Sequence, residues 1–499
     1  MYLLVIDQGT TSTRVILYDI SLKIIAKTQK DITQIFPNPG WVEHNPEEIF
    51  SNILILINNC LDQACNILNL SKNNLLNKIL SLGIANQRET TVLWDKTSGK
   101  PVHNAIVWQD RRTASFCEQL KQDPKNEQLI YQKTGLLIDP YFSASKISWL
   151  LKQYNLQNNK NILFGTIDSY LIWRLSNGTS HYTDATNASR TALYNIHDLI
   201  WDYDLLKLFN IPIDILPTVK NSVDNFGVTN KNFFGAAIPI TGVAGDQQAA
   251  AIGQNCIKPN TCKITYGTGC FVLENTGSKP IKSNYKLITT IAYLINNTPS
   301  YALEGSIFVA GAAVQWLRDA MKLIQSSSDS ELIAKNLADT QGVYLVPAFT
   351  GLGAPYWDPE AKGAILGLTR ETGFKHIVRA ALESVCYQTR DLLTAFSQDY
   401  GLPETIRVDG GMTANNWLLQ FLADITRLTI EKPLDSEATA KGAAILAGIG
   451  VQAYASICNI PNIEADTELE QKFSPIMPEE TSQMLYNGWL LAVRRLLQK

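Results

Sequence analysis

The sequence predicts an α/β protein of at least two domains, and three observations carry that expectation. At 499 residues the chain is longer than one hydrophobic core fills, so it divides, with room for a cleft between its parts. Short apolar runs alternate with amphipathic stretches, a pattern of strands interleaved with helices. One theme occurs twice, near the start and past the middle: strand, short turn of Gly and Thr, strand.

The first copy is built on Asp7 to Arg14, DQGTTSTR, between the apolar runs Leu3 to Ile6 and Val15 to Tyr18. Gly9 with Thr10, Thr11, Ser12 and Thr13 can turn backbone N–H and side-chain O–H groups toward one point, which suits phosphate oxygens. Asp7 would repel a phosphate directly, but a hydrated Mg²⁺ between the two anions reverses the sign. An ordinary hairpin would use the same residue types, so this stretch alone leaves both readings open.

Composition narrows the classes. Hydrophobic residues make up 45% and charged residues 18%, as in ordinary globular proteins. A net charge of −3 and a pI near 6.0 give no global field for nucleic acid or an anionic membrane. Eight cysteines include no C-x-x-C pair and five histidines give no H-E-x-x-H, which argues against zinc and for reduced thiols in a cytoplasmic protein. The apolar opening is too short for a signal peptide, and no run is long enough to span a bilayer.

Along the first half, Asn45-Pro46-Glu47-Glu48 predicts a helix start with a helix to about Leu68. Ile79 to Ala85 reads as a buried strand running into Asn86-Gln87-Arg88-Glu89-Thr90-Thr91. On an extended strand Arg88 and Glu89 would point to opposite faces, so for both to reach one ligand the backbone must leave β geometry. Such a donor–acceptor pair suits a polyol, although plain surface charge would look the same. Ala105 to Val107 is a further strand, ending at Trp108; with Tyr141 this aromatic could wall a small pocket or simply pack. Helices are expected at Ile147 to Leu151, Asp168 to Leu175 and Leu199 to Phe209.

In the middle, Ile238 to Val243 leads into Ala244-Gly245-Asp246-Gln247-Gln248 and a helix, so Asp246 stands at a helix N-terminus. The helix dipole favours its ionised form, ready to accept a proton from a substrate hydroxyl; simple N-capping is the alternative. Cys262 to Tyr266, Gly267-Thr268-Gly269 and Cys270 to Leu273 make the second hairpin. Two such turns facing across a cleft would clamp a nucleotide's phosphates, and no P-loop or G-x-G-x-x-G motif competes. Ser306 to Ile324 reads as a helix with Gly311 and Gln315 on one face, and Lys375 to Phe396 as a long amphipathic helix. The strand Ile406 to Val408 ends at Asp409-Gly410-Gly411, where either a flat ring or an αL turn could use bare glycine, before a helix started by Asn415. A final Ala/Gly-rich helix, Ala438 to Ile449, is expected to pack under that site, followed by a surface helix from Lys472 to Lys499.

DQGTTSTR, NQRETT, WQDRRT, GDQQAA, TYGTGCF and VDGGMTANN, in this order, resemble the sugar and polyol kinases of the FGGY group over nearly the whole chain. The loops NQRETT and FTGLGAPYWDP are the more specific part, because members acting on different acceptors differ there. The resemblance implies two actin-like (ribonuclease-H-like) domains, 1–252 and 253–499, closing on an interdomain active-site cleft. It implies ATP and Mg²⁺, glycerol as acceptor, and a homodimer or homotetramer.

Carried over by position, the resemblance sets Thr10, Thr11, Ser12 and Arg14 at the nucleotide phosphates with Thr268 opposite. Gly311, Gln315, Gly411 and Asn415 take the nucleoside end, and Asp7 the metal. Arg88, Glu89, Tyr141, Asp246 and Gln247 match acceptor-binding positions, Trp108 and Phe271 the apolar wall, and Asp246 the general base. Asn232 and Ala236-Ala237 depart from regulatory patterns of some members. The rival expectations are a kinase for another polyol or ketose, and an actin-like ATPase acting on a protein partner.

Overall fold

The computed structural model describes residues 1–349, 351–358, 360–435, 437–460 and 469–497. Two positions of the FTGLGAPYWDPEAKG loop, and the last two residues of the expected terminal helix, lie outside the described residues.

Two sheets organise the chain. In the first, the order is Ile240–Gly245, Ile79–Asn86, Tyr2–Gln8, Ser12–Asp19 and Ile24–Asp31. The last three strands form an antiparallel meander, and Ile79–Asn86 runs parallel to both of its neighbours. In the second sheet Cys262–Tyr266, Cys270–Gly277 and Thr298–Ile307 repeat the meander, and Thr405–Asp409 and Thr429–Pro433 add the parallel strands. Ile288–Ile295 and Leu469–Phe473 extend the two edges.

Both faces of the first sheet are covered, and the two-residue period of the strands divides the side chains between them. Leu4, Ile6, Val15 and Leu17 pack with Ile49, Ile53, Leu56 and Ile57 of the helix Pro46–Leu68. Leu3, Val5, Ile16 and Tyr18 pack with Ala443, Ala444 and Ala447 of the helix Ala438–Gly450. This corrects the expectation for the Ala/Gly-rich helix: it leaves the second half of the sequence to cover the first sheet. Its small residues suit a close approach to Gly83 and Gly242, where an added Cβ would come within 2.4 and 2.3 Å of its backbone.

The same helix meets Asp246–Gly253 through two mirrored contacts. A Cβ on Gly253 would strike the Ala438 carbonyl at 1.9 Å, and one on Gly442 the Ala249 carbonyl at 1.8 Å. Only glycine lets these two helices, one from each half of the sequence, come so near.

Three element boundaries differ from expectation. Ser306 closes the strand Thr298–Ile307, and the helix begins only at Gly311, ending at Asp319. The apolar run there reads equally as buried strand or helix by periodicity. The helix expected from Leu199 begins at Tyr203, capped by Asp202 and preceded by Leu199 in the left-handed region. The terminal helix starts at Glu479, after the strand Leu469–Phe473. The Asn45 cap holds, its side chain accepting from Glu47 N at 3.0 Å, while Glu48 accepts from Thr33 N and Oγ1 instead of closing a capping box.

Candidate functional site

The two parallel strands of the first sheet deliver the acidic and basic side chains to one end. Ile79–Asn86 ends at Asn86, and Glu89 then takes φ +56°, the departure from β geometry that brings it to the same side as Arg88. Ile240–Gly245 passes directly into the helix Asp246–Gly253, so Asp246 is its first residue and its Oδ1 accepts from Gln247 N at 2.7 Å. Asp246 Oδ1 lies 3.5 Å from Arg88 Nε.

Arg88 is anchored by a residue of the second sheet: Nη1 and Nη2 donate to the two carboxylate oxygens of Glu304 at 2.5 and 3.1 Å. Arg190 bridges the same pocket, donating through Nε to Glu89 Oε1 at 2.6 Å and through Nη2 to Glu304 Oε1 at 2.9 Å. Lys263, also buried, donates to Gln247 Oε1 and to Thr265 Oγ1. Burial works against the Glu304 carboxylate, but Arg190 and Arg88 hold it down at about 2. Glu89 goes the other way, raised by burial against the pull of Arg190 and Arg88.

Asp246 differs from its neighbours in access, with 25% of its side chain open against 2% for Arg88 and 0% for Glu304. Burial pushes its carboxyl above the ordinary value, opposed by Arg88 and Lys263. The helix dipole alone predicts the opposite sign, and desolvation outweighs it. A raised carboxyl is a better proton acceptor from an alcohol once ionised.

Aromatic rings close the pocket. Trp108 stands edge-on to Tyr141 at 5.6 Å and to Phe271 at 5.8 Å, so residues of both halves form one wall. Its Nε1–H donates to Thr10 Oγ1 at 2.9 Å, which ties the first Gly/Thr turn to the wall. Because Phe271 lies just past the second hairpin's turn, Trp108 touches a residue of the first turn and one beside the second.

The phosphate-directed residues divide. Thr10 is half-buried, Thr11 exposed and Ser12 buried. Arg14 stands 3.6 Å from both Asp7 Oδ2 and Glu437 Oε2 and donates to Gln29, so it is engaged with side chains of the protein. Burial raises Asp7 to about 7 in spite of Arg14, and Asp246 and Glu437 add to the push.

The nucleoside-directed residues converge. Thr268, Gly311, Gln315, Gly411 and Asn415 line one cavity of about 410 Å³, together with Val314, Ser328, Leu382 and Met412. Gly311 N and Ala312 N donate to the Gly267 and Thr268 carbonyls, locking the second turn onto the helix start. The two glycines after Asp409 separate the two readings of that motif. Gly410 has φ +94° and no room for a Cβ against Tyr266, whereas Gly411 has nothing within 4 Å of where a Cβ would stand. Asn415 spends its carbonyl on Leu418 N at 2.9 Å, leaving its amide N–H groups free to donate.

Sequence reasoning missed Glu304, Arg190 and Lys263. A signal existed for two of them: an ionisable residue in the middle of an apolar strand, as in Y-A-L-E-G-S-I-F and C-K-I-T-Y, is costly unless paired.

A duplicated meander sheet whose halves meet at a buried charge cluster and a shared aromatic wall suits a phosphotransferase with an alcohol acceptor. The chain belongs to the FGGY family of carbohydrate kinases, whose N-terminal domain matches residues 2–253 and C-terminal domain residues 262–451. It is 50% identical to the glycerol kinase of Alcanivorax borkumensis, covering 100% of this chain and 98% of that one. It is 51% identical to glycerol kinase 1 of Pseudomonas aeruginosa, covering 99% and 98%. Among solved structures, Plasmodium falciparum glycerol kinase with ADP superposes with a TM-score of 0.90 at 38% identity, covering 100% of this chain and 98% of that chain. A ligand-bound xylulose kinase of Lactobacillus acidophilus shares the fold, with a TM-score of 0.87 at 23% identity over 99% of this chain and 98% of that chain. The fold is the two-domain, actin-like (ribonuclease-H-like) one. Among the described residues no helix is long and apolar enough to cross a membrane.

Proposed function

We propose that this chain transfers the γ-phosphate of ATP to a terminal hydroxyl of glycerol, giving sn-glycerol 3-phosphate and ADP. The observation that carries the reading is Asp246: a partly open carboxylate 3.5 Å from Arg88, whose guanidinium also neighbours Tyr141 of the aromatic wall. Full-length identity to glycerol kinases supports the choice of acceptor.

In this reading Arg88, Glu89 and Tyr141 bind the acceptor's hydroxyls, and Trp108 with Phe271 covers its carbon chain. Gln247, held by Lys263, contributes its amide N–H. Asp246 takes the proton of the attacking hydroxyl as that oxygen bonds to the γ-phosphorus, and the bond to the ADP oxygen breaks. Thr10, Thr11, Ser12, Thr268 and a swung-out Arg14 meet phosphate oxygens. Gly311, Gln315, Gly411 and Asn415 hold the nucleoside, with its ring on the open face of Gly411. Residues 1–252 thus serve the acceptor and the first phosphate turn, and 253–499 the nucleotide. A cytoplasmic homodimer or homotetramer is part of the same proposal.

The corner around Asp7 fits a divalent cation. Asp246 and Glu437 raise the negative potential at Asp7, and Glu437 Oε2 is buried without a hydrogen bond. We assign Asp7 to a hydrated Mg²⁺, which when bound neutralises phosphate charge.

The test is ADP release by purified protein with Mg-ATP across glycerol, other polyols and pentuloses. Glycerol should give the highest kcat/KM. A pentulose in first place would make this a ketose kinase, and ADP release indifferent to every alcohol would make it an ATPase.

A further inference from the structure

Six buried or half-buried charges meet at the acceptor pocket: Arg88, Arg190 and Lys263 against Glu89, Glu304 and Asp246. Only Asp246 keeps appreciable exposure. Three cations and three anions leave the ionised cluster neutral, and a proton taken by Asp246 makes it positive, the sign that favours an arriving phosphoryl group. Asp7 lies beside Asp246 and Asp409 beside Lys263, at the edges of the cluster.

Among the anions of this group Glu304 stands apart because of where it comes from, and Lys263 on Cys262–Tyr266 is the other member from the second sheet. Arg88, Glu89, Arg190 and Asp246 all belong to the first half of the sequence, whereas Glu304 is on Thr298–Ile307 of the second sheet. One carboxylate bridges two guanidiniums: both of its oxygens receive Arg88, and Oε1 also receives Arg190 Nη2. With Nη1 and Nη2 committed, Arg88 has only Nε turned to Asp246, at 3.5 Å.

We propose that Glu304 is a positioning residue: a carboxylate from the nucleotide-side half that fixes Arg88 and Arg190 in the acceptor pocket and, through Arg88, sets the basicity of Asp246. The proposal rests on the acceptor reading of that pocket. Glu304 touches neither substrate; its effect passes through Arg88, which also faces Glu89, Gln248 and Tyr141. Removing its charge leaves both arginines less neutralised. Arg88 then stabilises ionised Asp246 more strongly, and the proton on Asp246 is lost at lower pH.

The experiment compares Glu304→Gln with wild type in glycerol-dependent ADP release. Expected are a KM for glycerol raised about tenfold, a KM for ATP within about twofold, and an acid limb of kcat/KM displaced to lower pH. Glu304→Asp keeps the charge but shortens the reach, so it should restore the limb while leaving the glycerol KM raised. Unchanged glycerol KM and limb in Glu304→Gln, or both KM values rising together, would overturn the proposal. If Glu304→Gln fails to fold, Glu304→Asp decides alone: a glycerol KM equal to that of wild type rejects it. Wild type inert toward glycerol would instead overturn the acceptor reading itself.

Discussion

The two Gly/Thr hairpins share one scaffold and differ in what their turns touch. In the first, Thr10 receives the Trp108 indole and the next strand carries Arg14 into a pair with Asp7 and Glu437, so the turn is coupled to charge and to the acceptor wall. In the second, Thr268 offers its carbonyl to the start of the helix Gly311–Asp319 and faces a cavity lined by Gly411, Leu382 and Met412. A repeated strand–turn–strand unit supplies the same backbone geometry twice. In the proposed function, the side chains packed around each turn decide whether the half handles a charged, reacting centre or a flat, largely uncharged one.

The strongest way to break this division is at its reacting centre. Asp246→Asn keeps the size and the helix position but removes the proton acceptor; kcat should fall by about 10²–10⁴ with glycerol still bound. Steady-state ADP release and glycerol titration calorimetry check it, and a variant turning over at the wild-type rate would move the base elsewhere.

A smaller effect is expected on the other side. Gly411→Leu fills the open face that has nothing within 4 Å of an added Cβ. The KM for ATP should rise about tenfold through steric exclusion while the KM for glycerol stays within about twofold. Equal changes in both would show that the two halves do not divide the substrates.

The smallest concerns pH at the first turn. The folded-state value of Asp7, raised from 3.8 to about 7, means that the folded protein holds a proton the unfolded chain has already lost across that interval. Its contribution to stability therefore falls as pH climbs through the window, and the carboxylate becomes available to a cation only toward the top of it. The affinity for Mg²⁺ in the presence of ADP should rise with pH, by up to about tenfold per unit below 7. Thermal shift at pH 6 and pH 8 measures this, and Asp7→Asn should remove the pH dependence. A Mg²⁺ response that is flat with pH in wild type would separate Asp7 from the ion.

Much of this was legible from residue order, where the signal was local. The hairpins follow from alternation and Gly/Thr turns and the Asn45 helix from its cap, while at Glu89 only a departure from β geometry was foreseeable, on condition that adjacent side chains share a ligand, and not its left-handed form. The cavity brings together Gly311, Gln315, Gly411 and Asn415, which the resemblance had set at the nucleoside end, with Thr268, which it had set at the phosphates. Contacts between distant segments were not legible. Glu304 and Arg190 lie 114 positions apart, and nothing within either neighbourhood announces the other. The helix Ala438–Gly450 carries the same lesson: its small side chains predicted tight packing, but only tertiary topology decides that the surface it meets is the first sheet.

The mirrored glycines at 253 and 442 fix how closely a helix from the second half of the sequence seats on one from the first. The helix Asp246–Gly253 that makes the contact also carries, at its opposite end, the carboxylate assigned to the proton transfer. The position of Asp246 therefore depends on how closely these two helices approach at their glycines. A methyl group added at either glycine would therefore act as a wedge, prising the two helices apart with the chemical groups themselves left intact.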